Sequence, residues 1–275
     1  MYIPEILEGD ARGRMRNLYH NIKATLRAPL VHDVFRVLAH YPAFLTYALE
    51  VSRPNLLSLT FETLAGELRA VPPPDAPLSS LPSAIRSRDL RGASAILPVF
   101  RYLNAKLLLL TTAWYEALSE RPILGLPTDE TFIPPGFLPA FSKPIHLIRL
   151  ETAPPQIRQL LKSITDTHRA FVPSSDYRAL AQYPTFLAAA WQRVQPHVAT
   201  PWHLDTTQHL LQRAETLAHH LPYPIPLAPR RLLLLMSERE IASCLAIVAM
   251  FRQLLPELII NVELMAQLLA EKMES

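Results

Sequence analysis

The stretch "VPSSDYRALAQYPTFL" (172–187) has an earlier echo, "VHDVFRVLAHYPAFL" (31–45). Both keep Tyr-Pro-x-Phe-Leu, yet Asp176 stands in the later copy where the earlier one has Val34. A second asymmetry lies in "FRYLNAKLLLL". Aligning Phe100-Arg101 with Phe251-Arg252 sets Asn104 against Leu255. A carboxylate takes up a proton, and a carboxamide both donates and accepts hydrogen bonds. Packing accounts for what both copies keep. A polar residue kept in one copy needs another reason. If the copies face each other, Asp176 and Asn104 converge on one site, and Val34 with Leu255 lines an inert mirror site. Each residue also has a local reading. Asp176 follows Pro173-Ser174-Ser175 and suits a first helical turn, while Asn104 suits the cap of a helix beginning "AKLLLL".

The elements that must position this couple are helical. Apolar spacing of three and four residues runs nearly throughout, and no segment sustains two-residue alternation. An all-α fold is expected. A constant offset of 142 aligns 14–54 with 156–196 without a gap, with fifteen identities, Arg36/Arg178 and Tyr41/Tyr183 among them. The chain reads as two pseudo-symmetric helical repeats, 1–120 and 150–275, joined by a long Pro-rich linker, 121–149. The tract 89–120 reads as two helices broken near Pro98 or Asn104, and the C-terminal tract as two segments parting at Pro256. "HLDTTQHLLQRAETLAHHL" reads as a helix capped by Asp205, with Gln208 completing a capping box.

Composition removes several function classes. Of 275 residues, 49% are apolar and 19% charged, enough for a sizeable core. The net charge is +3, with Lys and Arg dispersed, which argues against a nucleic-acid partner. One cysteine, Cys244, excludes an internal disulfide and CxxC chemistry, and reads as buried filler. Six glycines, with no GxGxxG or GxxxxGK[ST], argue against dinucleotide and P-loop sites. No GxSxG is present for an α/β-hydrolase nucleophile. His203, Asp205 and His209 can be drawn as a metal triad, but a solvated helix face explains "HLDTTQH" better, and no metal is expected. Apolar runs such as "LLLLTTAW" fall short of the ~20 residues of a membrane span, and no signal-peptide pattern opens the chain. A soluble cytoplasmic protein with a small-molecule partner and no membrane is expected.

At these residues the sequence resembles the group I (DehI-type) D,L-2-haloacid dehalogenases. "IKATLRAPLVHDVFRVLAHYPAFL", "FRYLNAKLLLLTTA" and "LLKSITDTHRAFVPSSDYRALAQYP" carry the resemblance, which covers nearly the whole chain. It implies an all-helical fold of two pseudo-repeats, a homodimer and no cofactor. It implies Asp176 as general base and Asn104 as its partner on a water. That water attacks the α-carbon with inversion and without an ester intermediate. A base of this kind needs its proton affinity raised by desolvation. Ser175, with amides at a helix start, is the implied holder of the substrate carboxylate. Leu30, Asp33, Val34 and Tyr177 complete the expected substrate-binding set. Leu30 and Asp33 stand where the family has two aromatics, so the pocket is larger and more polar, and Asp33 repels an anion if it points inward. Two alternatives stand beside this reading: a non-catalytic helical binding protein of the same fold, and a hydrolase with another substrate.

Overall fold

The computed structural model describes residues 4–126, 129–141 and 143–274; residues 127, 128 and 142 of the expected linker lie outside the described residues, as do 1–3 and 275. The fold is all-α. In chain order the helices are α1 (Gly13–Leu26), α2 (Asp33–Leu38), α3 (Pro42–Leu56), α4 (Leu59–Glu67), α5 (Ser87–Leu118), α6 (Pro155–Thr167), α7 (Ser175–Leu180), α8 (Pro184–Val194), α9 (Pro201–Ala218), α10 (Pro229–Leu232) and α11 (Glu238–Glu274). Among the described residues, β-pairing is confined to two isolated bridges. Among the described residues, the span 121–149 holds one 3₁₀ turn, Pro139–Phe141.

Two short helices carry the polar residues of interest, and the local sequence sets their limits. A residue before proline is pushed out of the α region, whereas proline itself suits a helix's first position. So α2 stops before Tyr41-Pro42 and α7 before Tyr183-Pro184, and α3 and α8 restart on the prolines. The two junction tyrosines have nearly the same backbone: φ −120°, ψ 67° at Tyr41 and φ −121°, ψ 64° at Tyr183. Positions 142 residues apart agree elsewhere too. Arg27 and Arg169 both have positive φ, 62° and 52°. The amide of Ile6 donates to Arg36 O, and that of Ile148 to Arg178 O.

The two long helices correct the expectation of breaks. α5 is continuous for 32 residues through Pro98, and α11 for 37 through Pro256. An internal proline removes one backbone bond and costs about 3 kcal/mol. At Pro98 the ring faces solvent, while Leu97, Val99 and Phe100 on the other faces are buried. Packing on both sides thus outweighs the local penalty. The expectation from apolar run length also falls. By length and composition, α5 and α11 are each long and apolar enough to cross a membrane. Their apolar faces pack on one another in the most extensive helix contact of the fold. The apolar window is 78% buried within the fold for α5 and 50% for α11. The cap of α9 is Thr200, whose hydroxyl accepts from the His203 amide at 3.3 Å; Asp205 is an exposed residue inside the helix.

Contacts cross between the chain's halves. α7 lies on α5, and α2 lies on α11. The long helix of each half therefore receives the short helix of the other.

Candidate active site

Asp176 occupies the first turn of α7 and Asn104 the middle of α5. Asparagine is a poor residue for a helix interior, so the position is explained by what the side chain meets. Its Nδ2 donates to Asp176 Oδ2 at 3.3 Å. Both residues are fully buried. The capping reading of Asn104 is thereby removed. Asp176 Oδ1 accepts from Ser174 Oγ and, at 3.1 Å, from the Tyr177 amide. Burial pushes the Asp176 carboxyl above the ordinary carboxylate range. Hydrogen bonds from Ser174 and Asn104 and the charge of His32 oppose the rise, and Asp33 adds to it. Asn104 Oδ1 is buried with no protein partner. Such an acceptor carries a desolvation penalty unless something donates to it. Lys106, two positions on, points away from this couple, as a two-residue step on a helix requires. Its ammonium reaches Glu62 at 2.8 Å and Leu26 O at 3.2 Å.

Asp33 is buried beside the couple, and its charge is not left bare. Its Oδ1 lies 2.5 Å from His32 Nδ1, an ion pair when the imidazole is protonated. It also accepts from Ser175 Oγ at 3.2 Å. Burial pushes this carboxyl up, but the charge and hydrogen bond of His32, with Arg36 and Ser175, overcome burial and bring it down to about 2. Two neighbouring carboxyls are thus moved apart, Asp33 down and Asp176 up. Depression from 3.8 to about 2 corresponds to about 2 kcal/mol of native-state stability. That stability is fully present above the unfolded pKa and is lost as pH falls through 2. Asp33→Asn is therefore expected to cost about 2 kcal/mol at pH 7. The gap should hold down to pH 4 and narrow below it, read from urea midpoints between pH 7 and pH 3.

Ser175 is committed within the protein. Its Oγ accepts from the Asp33 amide at 3.1 Å and Arg36 Nη1 at 3.2 Å while donating to Asp33. A hydroxyl has two acceptor sites and one donor, so none is left for a substrate carboxylate in this arrangement. Tyr177 also turns its hydroxyl elsewhere. It meets Asn261 Nδ2 at 3.0 Å and His168 Nε2 at 3.1 Å, and His168 Nδ1 lies 2.6 Å from Glu257. Leu30, Val34 and Leu255 are buried apolar side chains. His203 is buried while Asp205 and His209 are exposed, so the drawn triad does not assemble. Among the described residues no group of three metal-ligating side chains forms.

Sequence reasoning passed over His32 and Ser174. Their signal is weaker than that of Asp176, which faces an apolar residue. They are equivalent positions, 174 − 32 = 142, holding different polar residues.

No family model matches the chain. Curated relatives do. The chain is 28% identical over 271 residues to a configuration-inverting 2-haloacid dehalogenase of Alcaligenes xylosoxydans xylosoxydans, covering 95% of this chain and 92% of that protein. It is 29% identical over 221 residues to another configuration-inverting 2-haloacid dehalogenase, from Pseudomonas sp. (strain 113), covering 76% and 72%. These sequence relatives are 2-haloacid dehalogenases. Among solved structures, a complex of D-2-haloacid dehalogenase with L-LA superposes with a TM-score of 0.89 at 22% identity, covering 97% of this chain and 96% of that one. At that identity the likeness speaks for the fold, which the two chains share nearly end to end.

Proposed function

We propose that this protein is a hydrolase that releases halide from short 2-haloalkanoic acids, of the group I type acting on both D and L substrates. The observation that carries the reading is the buried Asp176–Asn104 couple, 3.3 Å apart and drawn from separate halves of the chain. The whole-length similarity to configuration-inverting 2-haloacid dehalogenases supports it. In this reading a water sits between Asp176 and the free Oδ1 of Asn104. Asp176 takes one proton as the water oxygen forms a bond to the α-carbon. The carbon–halogen bond breaks with the electron pair leaving on the halide, and the carbon inverts. Burial makes Asp176 a stronger base than an exposed carboxylate, which suits proton abstraction. The Ser174 hydrogen bond, the His32 charge and the Asn104 donor favour its ionised form, the form that takes the proton.

The same proposal holds 1–120 and 150–275 to be two copies of one helical unit joined by 121–149. The shared junction dihedrals and the twin amide bonds of Ile6 and Ile148 support it. A second reading, a hydrolase with a more polar 2-halo substrate, is favoured by the His32–Asp33 pair. The unpartnered atoms of that pair, Nε2 and Oδ2, are buried.

The test is halide release from both enantiomers of 2-chloropropionate in ¹⁸O-labelled water. A single turnover is expected to place label in the hydroxyacid and none in the protein. Label in Asp176 would replace water attack by an ester route. A folded protein releasing no halide from either enantiomer would end the proposal.

A further inference from the structure

Glu5 and Ile6, ahead of α1, meet Arg36 and Arg178, which are positions 142 apart, 178 − 36 = 142. Glu5 joins them. Its Oε2 accepts from Arg36 Nε at 2.7 Å, and its Oε1 accepts from Arg178 Nη1. Exposure is 6% for Glu5, 1% for Arg36 and 3% for Arg178. The position aligned with Glu5 is Leu147, since 147 − 5 = 142. This carboxylate is thus a further polar group present in one half alone.

Arg36 and Arg178 share Glu5 at contact distance, and Asp33 adds a second carboxylate on the Arg36 side. Arg36 Nη2 is buried with no acceptor. Beside it lies a cavity of about 380 Å³, lined by Arg36, Arg178, Lys23, Arg149 and His146. Its one lining carboxylate, Glu8, is spent on Lys23 and the Val31 amide, both at 2.7 Å. Arg36 Nη1 also reaches Ser175 Oγ at 3.2 Å, and Ser175 adjoins Asp176 in the chain. Guanidinium groups match carboxylates in shape and charge, and a cationic cleft gathers anions from solution.

We propose that this twin-arginine cavity is a binding site for a short carboxylate anion, with Glu5 as an internal occupant that the incoming anion displaces. It rests on the proposed reaction only in naming that anion as the 2-haloacid, held here on its way to Asp176. The chemistry recognised is a carboxylate on a small organic acid. Each half contributes one arginine of the pair, and one carboxylate of the chain's own bridges them.

Glu5→Gln tests this, with acetate and 2-hydroxypropionate as probes. The amide keeps the shape and removes the charge, so the variant is expected to melt below wild type in low salt. Added carboxylate should raise its melting temperature by about 5 °C or more beyond any rise in wild type. Chloride at matched ionic strength should not reproduce this, and Arg178→Gln in the same chain should abolish it. Equal responses to carboxylate and chloride would overturn the proposal and leave Glu5 a structural counter-ion. Should Glu5→Gln fail to fold, Glu5→Asp, a shorter carboxylate, is read by the same melts and the same criterion. Halide release is measured separately. A wild type without it but with carboxylate rescue of the variant would sink the reaction and keep the site.

Discussion

Asp176→Asn is expected to release no measurable halide from either enantiomer of 2-chloropropionate, a loss of at least ~10³-fold, and to melt at or above the wild-type temperature. The two halves of this result have one cause. Asp176 is a carboxylate held without water, and burial is the largest influence on it. A carboxyl raised in the native state weakens the fold as pH climbs past its unfolded value, because ionising it is harder folded than unfolded. An amide of the same shape carries no such cost. Its oxygen still accepts from Ser174 and the Tyr177 amide. Its new N–H would meet the Asn104 Nδ2 donor, so the Asn104 carboxamide is expected to turn over and present Oδ1, which has no donor in the wild type. The stability gain should therefore grow from pH 4 upward and be small at pH 4, as thermal melts across pH will read. A variant losing activity and fold together would make Asp176 a structural residue.

Asn104→Leu installs the residue found at the equivalent place in the other half, Leu255. Halide release is expected to fall by about 10²–10³-fold in kcat, the usual effect of removing one aligned polar partner at a reacting group. The fold should hold, since leucine is the better helix former by a few tenths of a kcal/mol and Asp176 keeps its bonds from Ser174 and the Tyr177 amide. One readout separates positioning from packing. Asn104 donates to Asp176 and favours its ionised form. Without that donor the remaining activity should need a higher pH to reach its plateau. An unshifted profile with full activity would remove Asn104 from the chemistry.

The couple was legible because the aligned segments differ at Asp176/Val34 and Asn104/Leu255, and the short helices because Tyr-Pro stops one helix and starts the next. Pro98 and Pro256 misled for a local reason. Their breaking effect is worth a few kcal/mol, and the burial along α5 and α11 that outweighs it depends on helices remote in sequence. Thr200 rather than Asp205 caps α9 because Pro201 takes the first helical position. The metal triad failed on spacing: 203 and 205 are about 200° apart around a helix. Glu5 lies outside the aligned motifs, and His32 and Ser174 lie inside them but oppose one polar residue to another, so neither stands out as a polar residue facing an apolar one. Which asymmetries meet in space is a property of the packed halves. The commitment of Ser175 to Asp33 and Arg36 belongs to that same layer.

The hydrogen bond between Asp33 and Ser175 links equivalent positions, 175 − 33 = 142. In an assembly of two identical separate chains, a residue at such a self-meeting point must face its own duplicate. An aspartate there would confront an aspartate, at like-charge cost in a dry interior. A single chain is free of that restriction. One side of the seam is acidic while the other is a hydroxyl, and the pocket beside it is lopsided.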